Sequence, residues 1–342
     1  MEMDTMKAVV YAARNRFELR EVPVPELKKG QIKLQLEYCA ICATDVHIVT
    51  QGLYNLPVGA LLGHEASGTV IELGEEAERT GFAVGDKVAI WPRKVCGVCD
   101  PCRRGQPQFC QNEEHFATMA EFAVAEPCHL FKLPPDADLK TYALMEPTTC
   151  VVRAIDLAQI NPGDTVALSG CGGIGALLLN LILLSGGAKV TVIDPMPAKR
   201  QLALSMGAQY TIDPVNEQIE QRTDEITGGR GFDFVFEASG AKKAAPPCLK
   251  IVARCGTIVY FAVYPMDYEL PLNLYELYLK EAAIRTVFTD SKLIPRVLDL
   301  LPRLQTNRII GKVMPLREAV EAIEVVFAQS KYAKILINCK EA

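Results

Sequence analysis

No stretch of this sequence is apolar over enough length to cross a bilayer. The longest hydrophobic run, Ala176 to Leu184, is interrupted by Asn180 and is far shorter than the roughly 20 residues a spanning helix needs. Charge of one sign is also scarce. A formal net charge of −5 over 342 residues gives no electrostatic reason to expect nucleic acid or an anionic membrane as a partner. Internal repeats and low-complexity tracts are missing, which argues against a solenoid or a disordered array. The acidic start Met1-Glu2-Met3-Asp4 lacks the basic region that opens a secretory signal, so none is expected and the location is expected to be cytoplasmic.

What remains is the composition of an ordinary globular protein, with 49% hydrophobic and 23% charged residues, and a length for which two domains are expected. Cysteine is abundant, at twelve residues. Without a secretory signal a disulfide framework is not expected, and clustered cysteines read as metal or redox chemistry. Cys39, Cys128, Cys150, Cys171, Cys248, Cys255 and Cys339 are scattered and are expected, for the most part, to be small buried side chains.

The other five carry chemistry. Cys96, Cys99, Cys102 and Cys110 follow the spacing C-x2-C-x2-C-x7-C, and short spacers let neighbouring sulfurs turn inward around one tetrahedral ion. Closely spaced cysteines also hold iron–sulfur clusters. A Gly/Pro-rich charged loop with no second cluster favours a structural zinc with no position left open for substrate. Cys42 opens a different group, C-A-T-D-V-H, and is followed by His64-Glu65 in L-G-H-E-A-S-G. Cys42 and His64 suit zinc, and Glu65 adds an oxygen. Glu146, in an apolar neighbourhood before Pro147, is a costly carboxylate unless it meets a cation, and beside such a metal it becomes a ligand or a near neighbour.

Periodicity divides the chain. Ile32, Leu34, Leu36 and Tyr38 alternate with Lys33, Gln35 and Glu37, a period of two with one buried face. Gly68 to Leu73 and Lys87 to Trp91 are further β runs, and the Cys42 stretch is expected in loops between strands. From Thr165 the pattern becomes βα. The strand Thr165 to Ser169 precedes Gly170-Cys171-Gly172-Gly173-Ile174-Gly175 and an apolar helix, then the strand Lys189 to Asp194. This is G-x-G-x-x-G between strand and helix, with an acid 19 positions after its last glycine. Such glycines permit a tight turn and close approach of a pyrophosphate to a helix N-terminus. Asp194 would accept from the adenosine ribose and repel a 2′-phosphate, which favours NAD; Lys199 and Arg200 stand close enough to touch the same region. Further strands at Tyr210 to Ile212, Phe232 to Glu237, Gly256 to Phe261 and Ala283 to Phe288 complete a doubly wound sheet. A closing strand is expected at Ala333 to Asn338.

Taken together, these residues resemble the zinc-dependent medium-chain alcohol dehydrogenases, and within them the polyol (sorbitol-like) branch. The likeness rests on the run Cys42 to His47, Gly63-His64-Glu65, the four-cysteine lobe, Glu146-Pro147, the dinucleotide fingerprint and Lys280-Glu281, and it spans nearly the whole chain. It implies an α/β protein: a GroES-like, mostly β catalytic domain over residues 1–152 with a zinc lobe near 94–112, a Rossmann domain over 153–288, and a segment 289–342 returning to the first domain. It implies two zinc ions, one catalytic and one structural, NAD as cofactor, a small-molecule alcohol as substrate, and a homodimer or homotetramer paired through the edge strand of the cofactor sheet. Cys42 and His64 would ligate the catalytic zinc. Family members differ over whether the carboxylate at Glu65 or at Glu146 completes the shell, and the polyol branch favours Glu65. Thr44 would accept the alcohol's proton, His47 would continue the relay, and Asp45 would orient a ligand.

The reaction so implied is reversible oxidation of a secondary alcohol to a ketone. L-threonine, 2,3-butanediol and sugar-phosphate dehydrogenases share these motifs, the last with Lys292 or Arg296 as phosphate holders. A non-catalytic NAD-binding regulator would need none of Cys42, Thr44, His64, Glu65 or Glu146. Three departures from the sorbitol type bear on substrate: Ile48 stands at an aromatic position, Thr289-Asp290 replaces an Arg-Tyr pair, and the loop Gln111 to Phe116 is short.

Overall fold

The computed structural model describes residues 4–186, 189–328 and 330–342. Met1, Glu2 and Met3, on which the expectation about a secretory signal partly rests, lie outside the described residues.

The N-terminal half is built of short strands separated by glycine turns. β1 (Thr5–Ala13) and β2 (Arg16–Pro23) form an antiparallel hairpin. β3 (Ile32–Ala40) buries Ile32, Leu34 and Leu36 completely and leaves Lys33, Gln35 and Glu37 partly exposed, the alternation of a half-buried strand. It pairs antiparallel with β4 (Glu65–Leu73), and β4 with β5 (Lys87–Ile90). β6 (Arg93–Lys94) and β7 (Glu114–His115) form a ribbon flanking the cysteine-rich lobe. β8 (Phe122–Ala125) adds to β3, and β9 (Leu130–Lys132) to β5.

A parallel sheet follows, made of β10 (Thr165–Ser169), β11 (Lys189–Ile193), β12 (Tyr210–Ile212), β13 (Phe232–Glu237), β14 (Val252–Tyr260) and β15 (Ala283–Thr286). Its order is β12-β11-β10-β13-β14-β15, so the winding reverses between β10 and β13, where an open α/β sheet leaves a ligand crevice. β10 is buried throughout and β11 at all but its first residue, as helices on both faces require. The apolar run forms the helix Gly173–Leu184, with Leu177, Leu178, Leu179 and Ile182 fully buried. Asn180 inside it donates to the Ala176 carbonyl (3.2 Å) and accepts the Gln305 N–H (3.2 Å), which satisfies its amide in the core. Among the described residues no helix is long and apolar enough to cross a membrane.

β16 (Ile310–Pro315) and β17 (Lys334–Asn338) then return to the first sheet, whose order is β16-β17-β3-β4-β5-β9. Leu336 pairs with Ala40, and Ala40 with Glu65, so the end of the chain reaches the start of β4.

One expectation needs correction. The Cys42 stretch is not a loop: Ala43–Gln51 is a helix with Cys42 as its N-cap. Cys42 Sγ accepts the Thr44 N–H at 3.4 Å and Asp45 Oδ2 accepts the Cys42 N–H at 3.1 Å, a reciprocal cap that replaces two missing helix hydrogen bonds. The expected domain boundary at 152/153 falls inside the helix Met145–Ala158, which packs on the helix Gly173–Leu184.

Candidate active site

Gly63 has φ +91°, and a Cβ on it would lie 2.6 Å from Met119 N and 2.9 Å from Cys39 Sγ. Only glycine fits that turn. It leaves His64 just outside β4 with Glu65 as the strand's first residue. The rule that neighbours on a strand point opposite ways therefore does not govern the pair. Ligand atoms of Cys42, His64 and Glu65 lie within 4.8 Å of one another. Glu146 is not in that set.

The surroundings suit a cation. Asp45, fully buried, accepts from the Gly63 N–H (3.3 Å) and His64 Nδ1 (3.2 Å), which fixes the imidazole and leaves Nε2 for a metal. Burial works against an imidazolium at His64, yet Asp45 and Cys42 beside it overcome that and hold its pKa well above the ordinary value. Asp45 is lowered despite burial, because of His64 and the two backbone N–H donors. Glu65 is fully buried and faces Lys334, whose Nζ lies 2.8 Å from Oε1 and 2.6 Å from Oε2. The directed hydrogen bond goes to Oε1; Oε2 feels the charge but receives no aligned donor, a buried oxygen that a metal would satisfy. By this measure the donor set fits zinc. Glu146, half-buried at the start of its helix, is pushed up to about 7 by burial, against the pull of His64 and with Glu65 adding to the rise. Thr44 is partly exposed in the first turn of the helix. Half-buried His47 bonds Gln51 through Nδ1 (2.9 Å), and burial lowers its pKa.

Sγ atoms of Cys96, Cys99, Cys102 and Cys110 likewise lie within 4.8 Å of one another. Backbone N–H groups of Cys96 and Asn112 donate to Cys110 (3.3 and 3.4 Å), and that of Cys99 to Cys96 (3.4 Å). Such donors favour thiolates, and those of Val98 and Cys99 take Cys96 down to about 6. This site also fits zinc, with every ligand supplied by sulfur. Of the scattered cysteines, Cys39, Cys171, Cys248 and Cys339 are buried, whereas Cys128 and Cys255 are exposed.

The crevice between β10 and β13 carries the fingerprint. Gly170 has φ +91°, and a Cβ there would lie 2.8–2.9 Å from Ser239; a Cβ on Gly175 would lie 2.0 Å from Gly170 O. At Gly172 a Cβ would meet nothing within 4 Å, so the Cα of this residue borders open space at the N-terminus of the helix, where a pyrophosphate would approach. Gly173 is crowded by Lys334 Cδ, 2.8 Å from the Cβ position. Asp194 is buried, with Oδ2 accepting the Cys171 N–H and Oδ1 the Met196 N–H, both at 2.8 Å. Arg200 is tied to the Asp194 carbonyl (2.7 Å) and to Asp213 (2.9 Å). Lys199 and Ile174 are partly exposed beside the loop.

Positions flagged for substrate fare unevenly. Ile48 is buried in the core of the first domain and marks packing there. Thr289 Oγ1 shares a hydrogen bond with Thr149 Oγ1 (3.2 Å), and buried Asp290 lies 3.8 Å from Arg153. Lys292 Nζ donates to the Gly105 carbonyl (2.5 Å) and Arg296 pairs with Asp156 (2.7 Å), so both cations named for phosphate are engaged. Arg93 pairs with Glu113 and lies 5.3 Å over the Phe288 ring, itself stacked on Phe109 at 5.8 Å. These contacts dock the cysteine-rich lobe on the segment after β15. A groove of 460 Å³ lined by Arg230, Lys250, Arg254 and Glu276 lies at the N-terminal ends of β13 and β14, away from both the fingerprint and the Cys42 cluster.

Lys334 is the neighbour of the cluster that the sequence did not announce, since it stands 269 positions from Glu65. A lone lysine within the apolar closing strand was the available signal, because a buried ammonium requires a partner.

Comparison with known proteins gives the family. Residues 28–135 match the alcohol dehydrogenase GroES-like domain and residues 173–303 the zinc-binding dehydrogenase family. L-threonine 3-dehydrogenase of Pyrococcus horikoshii is 33% identical over 266 residues, 75% of each chain. The chain belongs to the zinc-dependent medium-chain alcohol dehydrogenase family. Sorbitol dehydrogenase of Halalkalibacterium halodurans, 31% identical over 82% of this chain and 83% of its own, puts it beside the polyol branch. Among solved structures, a zinc-binding dehydrogenase of Clostridium scindens superimposes with TM-score 0.91 at 35% identity, covering 98% of this chain and 99% of that one. One of Sinorhizobium meliloti bound to NADP gives 0.90 at 27% identity, covering 98% and 100%. The protein is thus a dehydrogenase of this family, with the GroES-like plus Rossmann architecture read from the sequence.

Proposed function

We propose that the protein oxidises a secondary alcohol of polyol or sugar-alcohol type to a ketone, reversibly and with NAD, at a zinc held by Cys42, His64 and Glu65. The observation that carries this reading is the convergence of those three ligand atoms within 4.8 Å beside a crevice that carries a dinucleotide fingerprint. When bound, zinc supplies Lewis acidity to the alcohol oxygen and NAD accepts the hydride.

The chain's own residues do the rest. Asp45 holds His64 by Nδ1, and Lys334 holds Glu65 in place while balancing its charge. Glu146, neutral for part of the time near pH 7, stands as a polar neighbour of the cluster and as the alternative to Glu65 in completing the shell. Thr44 takes the proton released by the alcohol, and His47, held neutral by burial, carries it outward. At the fingerprint, Gly170, Gly172, Gly173, Ile174 and Gly175 seat the pyrophosphate. Asp194 receives the ribose hydroxyls, and Lys199 stands at the rim. With Arg200 committed to Asp213, the cation best placed to welcome a 2′-phosphate is occupied, which favours NAD. Cys96, Cys99, Cys102 and Cys110 hold the structural zinc.

The expected partner besides substrate is a second copy of the chain. β15 is exposed at all four residues, and Leu274, Tyr275, Tyr278 and Leu279 on the helix beside it are 53–78% exposed. Such an open apolar edge is a template for strand pairing in a homodimer or homotetramer. A cytoplasmic location is in keeping with twelve unpaired cysteines.

The test is NADH formation by the zinc-loaded protein across polyols, inositols, 2,3-butanediol, L-threonine and sugar phosphates. Turnover of a polyol with loss of activity in Cys42→Ala is expected. If no alcohol reduces NAD⁺ or NADP⁺, the proposal fails.

A further inference from the structure

At the C-terminal end of β13 lies Glu237, a carboxylate of zero exposure with no cation paired to it among the described residues. A bare buried carboxylate is costly, and here four donors are spent on it. Oε1 accepts from the Ser239 N–H (2.9 Å) and the Ser239 hydroxyl; Oε2 accepts from the Gly240 N–H (3.2 Å) and the Tyr264 hydroxyl. Its main-chain carbonyl accepts two more, from Phe261 N–H (2.9 Å) and Ala262 N–H (3.2 Å). One residue therefore joins two loops, 238–241 after β13 and 261–264 after β14.

The same residue joins them to the fingerprint. Glu237 pairs with Ser169 in register, Ala238 N–H donates to the Ser169 carbonyl at 2.9 Å, and Ser239 fills the space a Cβ on Gly170 would take. Tyr264 is itself braced: its ring stacks on Tyr268 at 5.2 Å and meets Tyr260 edge-on at 6.4 Å, while Tyr268 and Tyr260 hydroxyls hold the carbonyls of Lys242 and Ala245, each at 3.0 Å. Gly240, at φ +68°, brings its Cα against the Val263 carbonyl, 3.1 Å from the Cβ position. The two loops form one rigid shelf at the C-terminal edge of the sheet.

In a doubly wound sheet the dinucleotide lies across that edge with its pyrophosphate on the first helix. Asp194 marks the adenosine side over β11, so the nicotinamide half extends over β13 and β14, onto this shelf. We propose that Glu237 and Tyr264 are positioning residues for the nicotinamide half of the cofactor. They touch neither cofactor nor substrate; they set the height and angle of the loops beneath the reacting ring and couple them to the fingerprint. This rests on the dinucleotide reading of the crevice.

Calorimetry with two probes separates positioning from general stability. ADP reports the adenosine half and pyrophosphate seat alone, whereas NADH reports the whole site. Tyr264→Phe keeps the ring stack and removes one donor, and Glu237→Gln keeps the shape but turns an acceptor into a donor facing donors. NADH binding weaker by about tenfold, the order of one lost hydrogen bond to a charged group, with ADP binding within about twofold of wild type, is the expected result. Parallel loss of NADH and ADP binding, or no change in either, would overturn the inference alone, and Tyr264→Phe decides if Glu237→Gln does not fold. Wild-type protein that binds ADP-containing ligands not at all would overturn the cofactor reading and this inference with it.

Discussion

Replacing Lys334 by Met tests the link between the end of the chain and the metal cluster. The ammonium is 6% exposed, Glu65 is 0% exposed, and their atoms approach to 2.6 Å. At that separation the gross attraction is about 6 kcal/mol for an effective dielectric near 20. Desolvation offsets much of it, and removing one member of a buried pair costs about 3–5 kcal/mol because the other charge is stranded. Met fills the volume of the aliphatic stem, so packing loss against Gly173 is small. In zinc-free protein, urea unfolding of Lys334→Met should show a loss in that range, and adding Glu65→Gln should restore most of it, since the stranded charge is gone. In zinc-loaded protein the loss should be smaller, because the ion gives Glu65 another partner. A loss below about 1 kcal/mol without zinc, or no recovery with Glu65→Gln, would refute the idea that this pair is a buried charge couple waiting for a cation.

Other outcomes follow from single contacts. Cys99→Ala should reduce bound zinc by one ion per chain and loosen the lobe from Phe288, read by metal analysis and by limited proteolysis near residue 105. Asp194→Ala should raise the KM for NAD about tenfold or more, as expected for losing charged hydrogen bonds, while narrowing its advantage over NADP; unchanged selectivity in steady-state kinetics would count against Asp194 as the discriminator. Buried His129 has neither ring nitrogen partnered among the described residues and stacks on Phe116 at 5.1 Å. Burial lowers its pKa, so the folded protein resists a proton that the unfolded chain accepts near pH 6.5. That contribution is complete above about pH 6.5 and is lost as pH falls below it. His129→Phe should keep the stack and flatten the fall in urea midpoint between pH 7.5 and 5.5.

Much of the molecule was legible because its devices are local. Four cysteines within 15 residues, a glycine fingerprint between strand and helix, and period-two strands all announce themselves through short spacing, and the structure has each in that form. The Cys42 helix was missed because its start signal is a cysteine cap, outside the usual Ser, Thr, Asp and Asn set. The preference for Glu65 over Glu146 rested on likeness to the polyol branch, because the residues alone show neither the positive φ at Gly63 nor what lies opposite each carboxylate. Lys334 gave only the signal of a lysine in an apolar strand and Tyr264 gave none, because their partners are 269 and 27 residues away and only the folded sheets bring them together. Ile48 shows the converse, a position flagged for substrate that the fold turns into the core.

The central claim is that Cys42, His64 and Glu65 hold a catalytic zinc distinct from the one on Cys96, Cys99, Cys102 and Cys110. Counting zinc per chain in the purified protein and in Cys42→Ala, with alcohol-dependent NADH formation measured on the same samples, addresses it most directly. Two ions in the wild type, and one in the variant with activity gone, is the expected result. A single ion in the wild type that survives Cys42→Ala would contradict it.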